Sequence, residues 1–337
     1  MRGKLGVGVI GTGAFGSQHA EVYNQSDLCT LKAVADINPQ RLDEVCSALH
    51  VQGYGDYRDL LGRDDVHAVS VCTTDDLHVD AAVSAAHAGK HVLVEKPLAM
   101  TPEDCERIIR ACQESGVILM VGHILRFDPR YLAAYVEIRE ERIGKLVHLF
   151  ARRNNLVRNA LRLARHTSVL FFLGIHDLDM INWCVGAQPE HVYAEATSTK
   201  LGDTPDTVLA LMRFAGGVLA SLELSWILTD SNPGRLDARF EAMGTDGSVQ
   251  VNGGSENVTI VHAPSMPQQV ECPELFYAPD VHGQRVGILR DEVHHFLRCI
   301  VEGRTPIVGG ADGKAAVEVA CAIQRSLETG RVVELPR

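Results

Sequence analysis

Up to Gly122 the chain alternates short apolar runs with amphipathic stretches. The apolar runs are Leu5–Ile10, Leu31–Ala35, Val66–Cys72, His91–Val94 and Val117–Val121. They are rich in valine and lack polar alternation, the pattern of strands buried on both faces of a parallel sheet. The stretches between them, Ala14–Asn24, Pro39–Leu49, Val79–Ala88 and Pro102–Ser115, read as helices. The last opens with Thr101-Pro102-Glu103-Asp104, an N-cap hydroxyl followed by proline at the first helical position and acid in the first turn. Repeated strand–helix units predict a doubly wound α/β sheet.

The pattern changes after Gly122. A helix over about Pro129–Glu141 leads to a strand near Leu146–Ala151, an irregular stretch Arg152–Thr167, and a helix Ile175–Val185. Strands are expected at His191–Thr199, Thr207–Phe214, Val218–Leu228, Leu236–Met243 and Ser248–Val251, separated by turns such as Ala215-Gly216-Gly217 and Thr245-Asp246-Gly247. Helices over about Arg290–Glu302 and Ala311–Leu327 follow. The second half therefore predicts an α+β domain with a large, mostly antiparallel open sheet. Residues 1–122 and 123–337 are the expected domains. A sheet left open on one face exposes apolar area unless a partner covers it, so a homodimer or homotetramer is expected.

Composition narrows the class. Of the 337 residues, 32 are Lys or Arg and 43 are Asp or Glu, a formal net charge of −11, which argues against general nucleic-acid binding. No apolar run approaches the roughly 20 residues of a membrane helix. Met1-Arg2-Gly3-Lys4 leads straight into a strand, without the h-region or cleavage site of a signal peptide. The nine cysteines are scattered and form no C-x-x-C pair, so free thiols, a cytoplasmic setting and no metal cluster are expected.

Candidate chemistry begins at Gly11-Thr12-Gly13-Ala14-Phe15-Gly16, a G-x-G-x-x-G that follows a strand and opens a helix. Gly11 permits the tight turn, Gly13 lets the backbone approach a pyrophosphate, and Gly16 allows close helix packing. The helix N-terminus, with Ala14 and Phe15, offers N–H groups to the anion. Asp36 closes the second strand 20 residues after Gly16, where an acid binds the adenosine ribose hydroxyls. Asp36 would repel a 2′-phosphate, so NAD is expected over NADP. Arg41, nearby in sequence, is the residue that would soften that preference.

With these motifs in view, the chain resembles the glucose–fructose oxidoreductase/inositol dehydrogenase/MocA (Gfo/Idh/MocA) family along nearly its whole length. The resemblance rests on the glycine motif, Cys72-Thr73-Thr74-Asp75-Asp76-Leu77-His78, Ala88-Gly89-Lys90-His91-Val92-Leu93-Val94-Glu95-Lys96-Pro97, Gly122-His123-Ile124-Leu125-Arg126-Phe127-Asp128-Pro129 and Gly174-Ile175-His176-Asp177-Leu178-Asp179. It implies a Rossmann domain plus an open-sheet domain with substrate between them, and hydride transfer between a secondary alcohol of a sugar or cyclitol and nicotinamide. Thr73, Thr74 and His78 fall on the loop that would line the cofactor, although Thr74 and Asp75 replace the family's usual Pro-Asn. Glu95 would orient Lys96 or contact the nicotinamide ribose.

Lys96 stands at the C-terminal end of a parallel strand, where doubly wound sheets place ligands. There an ammonium can stabilise a developing alkoxide. His176 falls where the family has its general acid/base, and imidazole, with an ordinary pKa of about 6.5, suits that work. Asp179, on the same helical face, could orient the ring or complement the helix N-terminus. The family often carries an aspartate four residues before this histidine, and here the position is Phe172.

Between Arg142 and Ile175 there is no acidic residue, while Arg142, Lys145, Arg152, Arg153, Arg158, Arg162, Arg165 and His166 are basic. Arginine forks suit phosphate and carboxylate. The Gly122-His123-x-x-Arg126-Phe127-x-Pro129 element followed by Ala151-Arg152-Arg153 resembles nucleotide-sugar 3-dehydrogenases, such as those acting on UDP-N-acetylglucosamine, and His123, Arg126, Arg153, Arg158 and Asp179 are the expected substrate contacts. A nucleotide-linked sugar is therefore the expected substrate. A cyclitol, or a non-catalytic NAD-binding regulator, is the alternative.

Overall fold

The computed structural model describes residues 4–254, 258–262 and 270–335. Its contacts divide the chain into two compact units, Met1–Ile124 with Phe276–Lys314 and Leu125–Leu275 with Ala315–Arg337.

The first unit carries a six-stranded parallel sheet. Its elements run β1 Leu5–Ile10, α1 Ala14–Gln25, β2 Cys29–Ala35, α2 Pro39–Leu49, β3 Gln52–Tyr54, α3 Tyr57–Leu61, β4 Ala68–Val71, α4 His78–His87, β5 His91–Glu95, α5 Pro102–Glu114 and β6 Leu119–Gly122. The strand order is β3-β2-β1-β4-β5-β6, so the winding reverses between β1 and β4, where doubly wound sheets open a crevice. β4 is buried at every residue, as its apolar run requires. Thr101 caps α5 by accepting the Asp104 N–H at 3.1 Å. The short β3 and α3 are additions to the expected pattern, and neither is long enough to show a period.

The second unit starts with α6 Pro129–Arg139 and β7 Leu146–Leu156, followed by α7 Val157–Leu163, a π-helical turn Leu170–Gly174 and α8 Ile175–Val185. Then come β8 His191–Thr197, β9 Thr207–Arg213, β10 Leu219–Leu228, β11 Leu236–Gly244 and β12 Ser248–Asn252. These form a seven-stranded sheet in the order β12-β11-β7-β10-β9-β8, completed by Val333–Glu334. The β10–β7 pairing is parallel and the others are antiparallel, so the sheet is mixed. β7 runs five residues beyond the expected end at Ala151, through Arg152 and Arg153, because neighbouring strands pair with it on both sides. On β9, Val208, Ala210 and Met212 are buried while Leu209 and Leu211 stand exposed.

Two later helices complete the fold, α9 Ile288–Glu302 and α10 Gly310–Thr329. α9 buries Leu289, Val293, Phe296 and Leu297 and packs against α1. Residues 276–314 thus group with the first unit, whereas the sequence reading made one cut after Gly122. Among the described residues, no helix is long and apolar enough to cross a membrane.

Candidate functional site

The C-terminal ends of β1, β2, β4 and β5 gather most of the residues expected at the cofactor site. Gly11 has φ +89°, and a Cβ there would meet the Cys72 carbonyl oxygen at 2.7 Å. A Cβ on Gly16 would lie 1.8 Å from the Gly11 oxygen, so this glycine lets α1 sit against the end of β1. Gly13 differs: a Cβ there meets nothing within 4 Å, and as N-cap it provides no side-chain hydrogen bond. The first turn of α1 also lacks an acid. Exposed N–H groups, open space and the positive end of a helix dipole fit a pyrophosphate.

Asp36 is fixed from both sides. Its Oδ2 accepts the Thr12 N–H at 2.7 Å and the Thr12 hydroxyl at 3.0 Å, and its Oδ1 accepts the Asn38 N–H at 2.8 Å. One Oδ1 lone pair is left for a ribose hydroxyl, which donates; a 2′-phosphate has no proton to offer. Arg41 is exposed on α2. Ile37, next to Asp36, is 84 % exposed. The sequence reading missed it, and an apolar residue at this strand end is a surface for a flat base.

His78, expected on the loop that lines the cofactor, bridges two backbone segments. It is buried, and its ring nitrogens contact the carbonyls of Pro97 at 2.7 Å and Thr73 at 3.2 Å. It ties the loop after β4 to the turn after β5 through both ring nitrogens. Thr74 is exposed on that loop and Thr73 is half-buried.

Glu95 and Lys96 end β5 and both are buried. Glu95 Oε1 meets His19 Nε2 at 2.9 Å, and Oε2 accepts the Lys96 backbone N–H at 3.2 Å. Burial pushes the Glu95 carboxyl up, but the hydrogen bond with His19 and the Lys96 charge outweigh it and hold the group below its ordinary value. The Lys96 Nζ lies 5.9 Å from the Phe15 ring centroid. His123, also buried, donates its backbone N–H to the Val121 oxygen.

In the second unit the arginines are paired. Arg153 donates to Asp177 at 2.7 and 3.0 Å and to the Tyr131 hydroxyl at 3.2 Å, all buried. Arg126 donates to both Asp179 oxygens, at 2.9 and 2.6 Å, and lies over the Trp183 ring. Arg126, Arg153 and Asp179, expected at the substrate, each have their charge matched inside the protein. Asp179 therefore holds Arg126 rather than the His176 ring. Arg158 is exposed and pairs with Asp230 at 3.3 Å, and Arg152 pairs with Asp237 at 3.1 Å. His176 is half-buried at the start of α8. The Phe172 ring tilts against buried Trp226 at 5.8 Å.

Comparison with known proteins agrees with this geometry. Residues 5–123 match the model of an oxidoreductase family with an NAD-binding Rossmann fold, and residues 137–335 match its C-terminal alpha/beta domain. The chain is 29% identical to myo-inositol 2-dehydrogenase of Thermotoga maritima over 98% of both chains. It is 27% identical to an NAD(+)-dependent scyllo-inositol 2-dehydrogenase of Bacillus subtilis, covering 99% of this chain and 97% of the other. The crystal structure of myo-inositol 2-dehydrogenase from Lactobacillus plantarum shares the fold, with a TM-score of 0.86 at 22% identity over 99% of this chain and 100% of that one. The glycine turn, the acid closing β2 and these matches over both units give one conclusion: the chain belongs to the Gfo/Idh/MocA family of NAD-binding oxidoreductases.

Proposed function

We propose that the chain is an NAD-dependent cyclitol dehydrogenase that oxidises a ring CH–OH of an inositol to the ketone. The observation that carries this reading is the internal pairing of Arg126 and Arg153. Buried guanidiniums matched to buried carboxylates are not open to a diphosphate, which favours an uncharged polyol over the nucleotide-linked sugar first expected. The names of the Thermotoga and Bacillus relatives point the same way.

NAD fits the first unit: Gly13 and the α1 N-terminus hold the pyrophosphate, Asp36 the adenosine ribose, and Ile37 one face of the adenine. When bound, NAD supplies the hydride acceptor. Lys96 hydrogen-bonds the reacting hydroxyl and stabilises the negative charge that develops on its oxygen. Glu95 orients Lys96 through its backbone. His176 carries the general acid/base role that the family resemblance implies. Phe172 offers no carboxylate, so proton handling rests on Lys96 and His176. We also assign homo-oligomer formation to the open sheet face that bears Leu209, Leu211 and Leu219.

The test follows nicotinamide absorbance with NAD or NADP against inositols, free sugars and UDP-N-acetylglucosamine. Turnover of an inositol with NAD is expected. Turnover confined to nucleotide sugars would overturn the reading. Lys96→Met and His176→Ala should each lower kcat by about 100-fold or more while NAD still binds.

A further inference from the structure

α9 places an acid inside the first unit that the proposed chemistry does not use. Glu292 is fully buried, and neither of its carboxylate oxygens finds a hydrogen-bond partner among the described residues. One Glu292 oxygen, one Glu95 oxygen and a His19 ring nitrogen all lie within 4.8 Å of one another. Behind His19, Nδ1 contacts the Ser70 hydroxyl at 3.1 Å, and Ser70 contacts the Tyr23 hydroxyl at 2.7 Å. One assignment satisfies every contact along this chain with a neutral His19 ring. Tyr23 donates to Ser70, Ser70 donates to Nδ1, and the Nε2–H is left for Glu95. Glu95 thus receives donors from His19 and the Lys96 backbone, and Glu292 receives none. Two buried carboxylate anions this close would repel strongly.

We infer that Glu292 holds a proton at neutral pH and is a positioning residue, donating its O–H to Glu95 and so fixing the carboxylate that carries Lys96. From a separation within 4.8 Å, this O–H bond requires a rotation of the Glu292 or Glu95 side chain. Its role toward Lys96 rests on the function proposed above.

The other groups around Glu292 agree. Burial, and then the Glu95 charge, push the Glu292 carboxyl well above the usual carboxylate range. From α1 it is faced by His19 and Tyr23, from the end of β4 by Cys72, and from β5 by Glu95; Asp291, His294 and His295 are its neighbours on α9. Burial raises the Tyr23 hydroxyl and the Cys72 thiol, so both stay neutral and neither can act as a counter-ion. A divalent cation is the other way to hold two carboxylates and an imidazole together. It would need a bare Nε2 and so the reverse order of donors through Ser70 and Tyr23, and the metal content measured below decides between the two.

The experiment compares the full-length wild type with Glu292→Gln and Glu292→Leu. Infrared difference spectra of wild type minus Glu292→Gln at neutral pH should show the carbonyl stretch of a buried protonated carboxyl. Glutamine keeps a neutral donor, so kcat should stay within about twofold of wild type, whereas leucine should lower kcat about tenfold with the NAD Kd nearly unchanged. The inference is overturned by absence of the infrared band, by a stoichiometric metal in the purified protein, or by full activity in Glu292→Leu. If the wild type turns over no substrate, the proposed function fails, and the band still decides whether Glu292 carries the proton.

Discussion

Gly13 and Gly16 stand three residues apart in one motif, and the structure predicts opposite outcomes for alanine at each. At Gly16 a Cβ would meet the Gly11 carbonyl oxygen at 1.8 Å and its carbon at 2.9 Å, backbone atoms that cannot rotate away. An ordinary carbon–oxygen contact is about 3.3 Å, so α1 would have to lift off β1 by roughly 1.5 Å. Overpacking costs about 1–3 kcal/mol, and the better helix propensity of alanine returns less than about 1 kcal/mol. A net loss of about 2 kcal/mol should lower Tm by about 4–8 °C at this domain size. Gly13, at φ −65° and ψ −167° with open space around it, admits a methyl without strain. The stability change there is the N-cap preference alone, about 0.5 kcal/mol. The methyl occupies the space through which the backbone approaches pyrophosphate, so the NAD Kd should rise at least about tenfold, or about 1.4 kcal/mol. Thermal melts and calorimetric NAD titrations of the two variants read both quantities. Equal losses of Tm would refute the steric argument, and normal NAD binding by a stable Gly13→Ala would refute the placement of the phosphates.

Arg153→Met leaves Asp177 buried without its partner and should destabilise the protein by about 3–5 kcal/mol in chemical denaturation; a stable variant with only a raised substrate KM would return Arg153 to substrate binding. Stability should fall as pH drops below about 6.5. Burial holds the His91 and His295 rings below their ordinary pKa, and each accepts a backbone N–H, from Ile118 and Ile307. The unfolded chain therefore binds protons first, and the stability these rings give is present above that pH and lost below it. Melting curves between pH 7.5 and 5.5 should show the loss, and His91→Asn should reduce it; a flat profile counts against neutral rings. Leu211→Asp, on the exposed row of β9, should convert an oligomer to monomer in light scattering while leaving Tm nearly unchanged, and a monomeric wild type would remove the role given to this face.

What the sequence made legible, and what it did not, follows from the range of the forces involved. The longer strands and helices of the first unit could be read because they are set by local pattern, unlike the short β3 and α3: Leu5–Ile10 and Pro39–Leu49 begin and end where apolar spacing and capping say they should. The glycine turn was equally legible, since Gly11 and Gly16 each answer a steric demand made a few residues away. The arginines were not. An acid-free span reads as cationic, yet the charges that meet it come from outside the span, Asp177 on α8 for Arg153, Asp230 for Arg158 and Asp237 on β11 for Arg152. Charge along a chain is a local quantity, while the field at a guanidinium is set by whatever the fold brings beside it. The same holds in reverse for Glu292. Its place on the apolar face of α9 looks like one acid amid a core pattern, and only the packing of α9 on α1 brings it to the His19–Glu95 pair. Buried charges of this kind can be retained only if partners or protons neutralise them. Arg153 has its partner in Asp177, and the inferred proton gives Glu292 its neutrality.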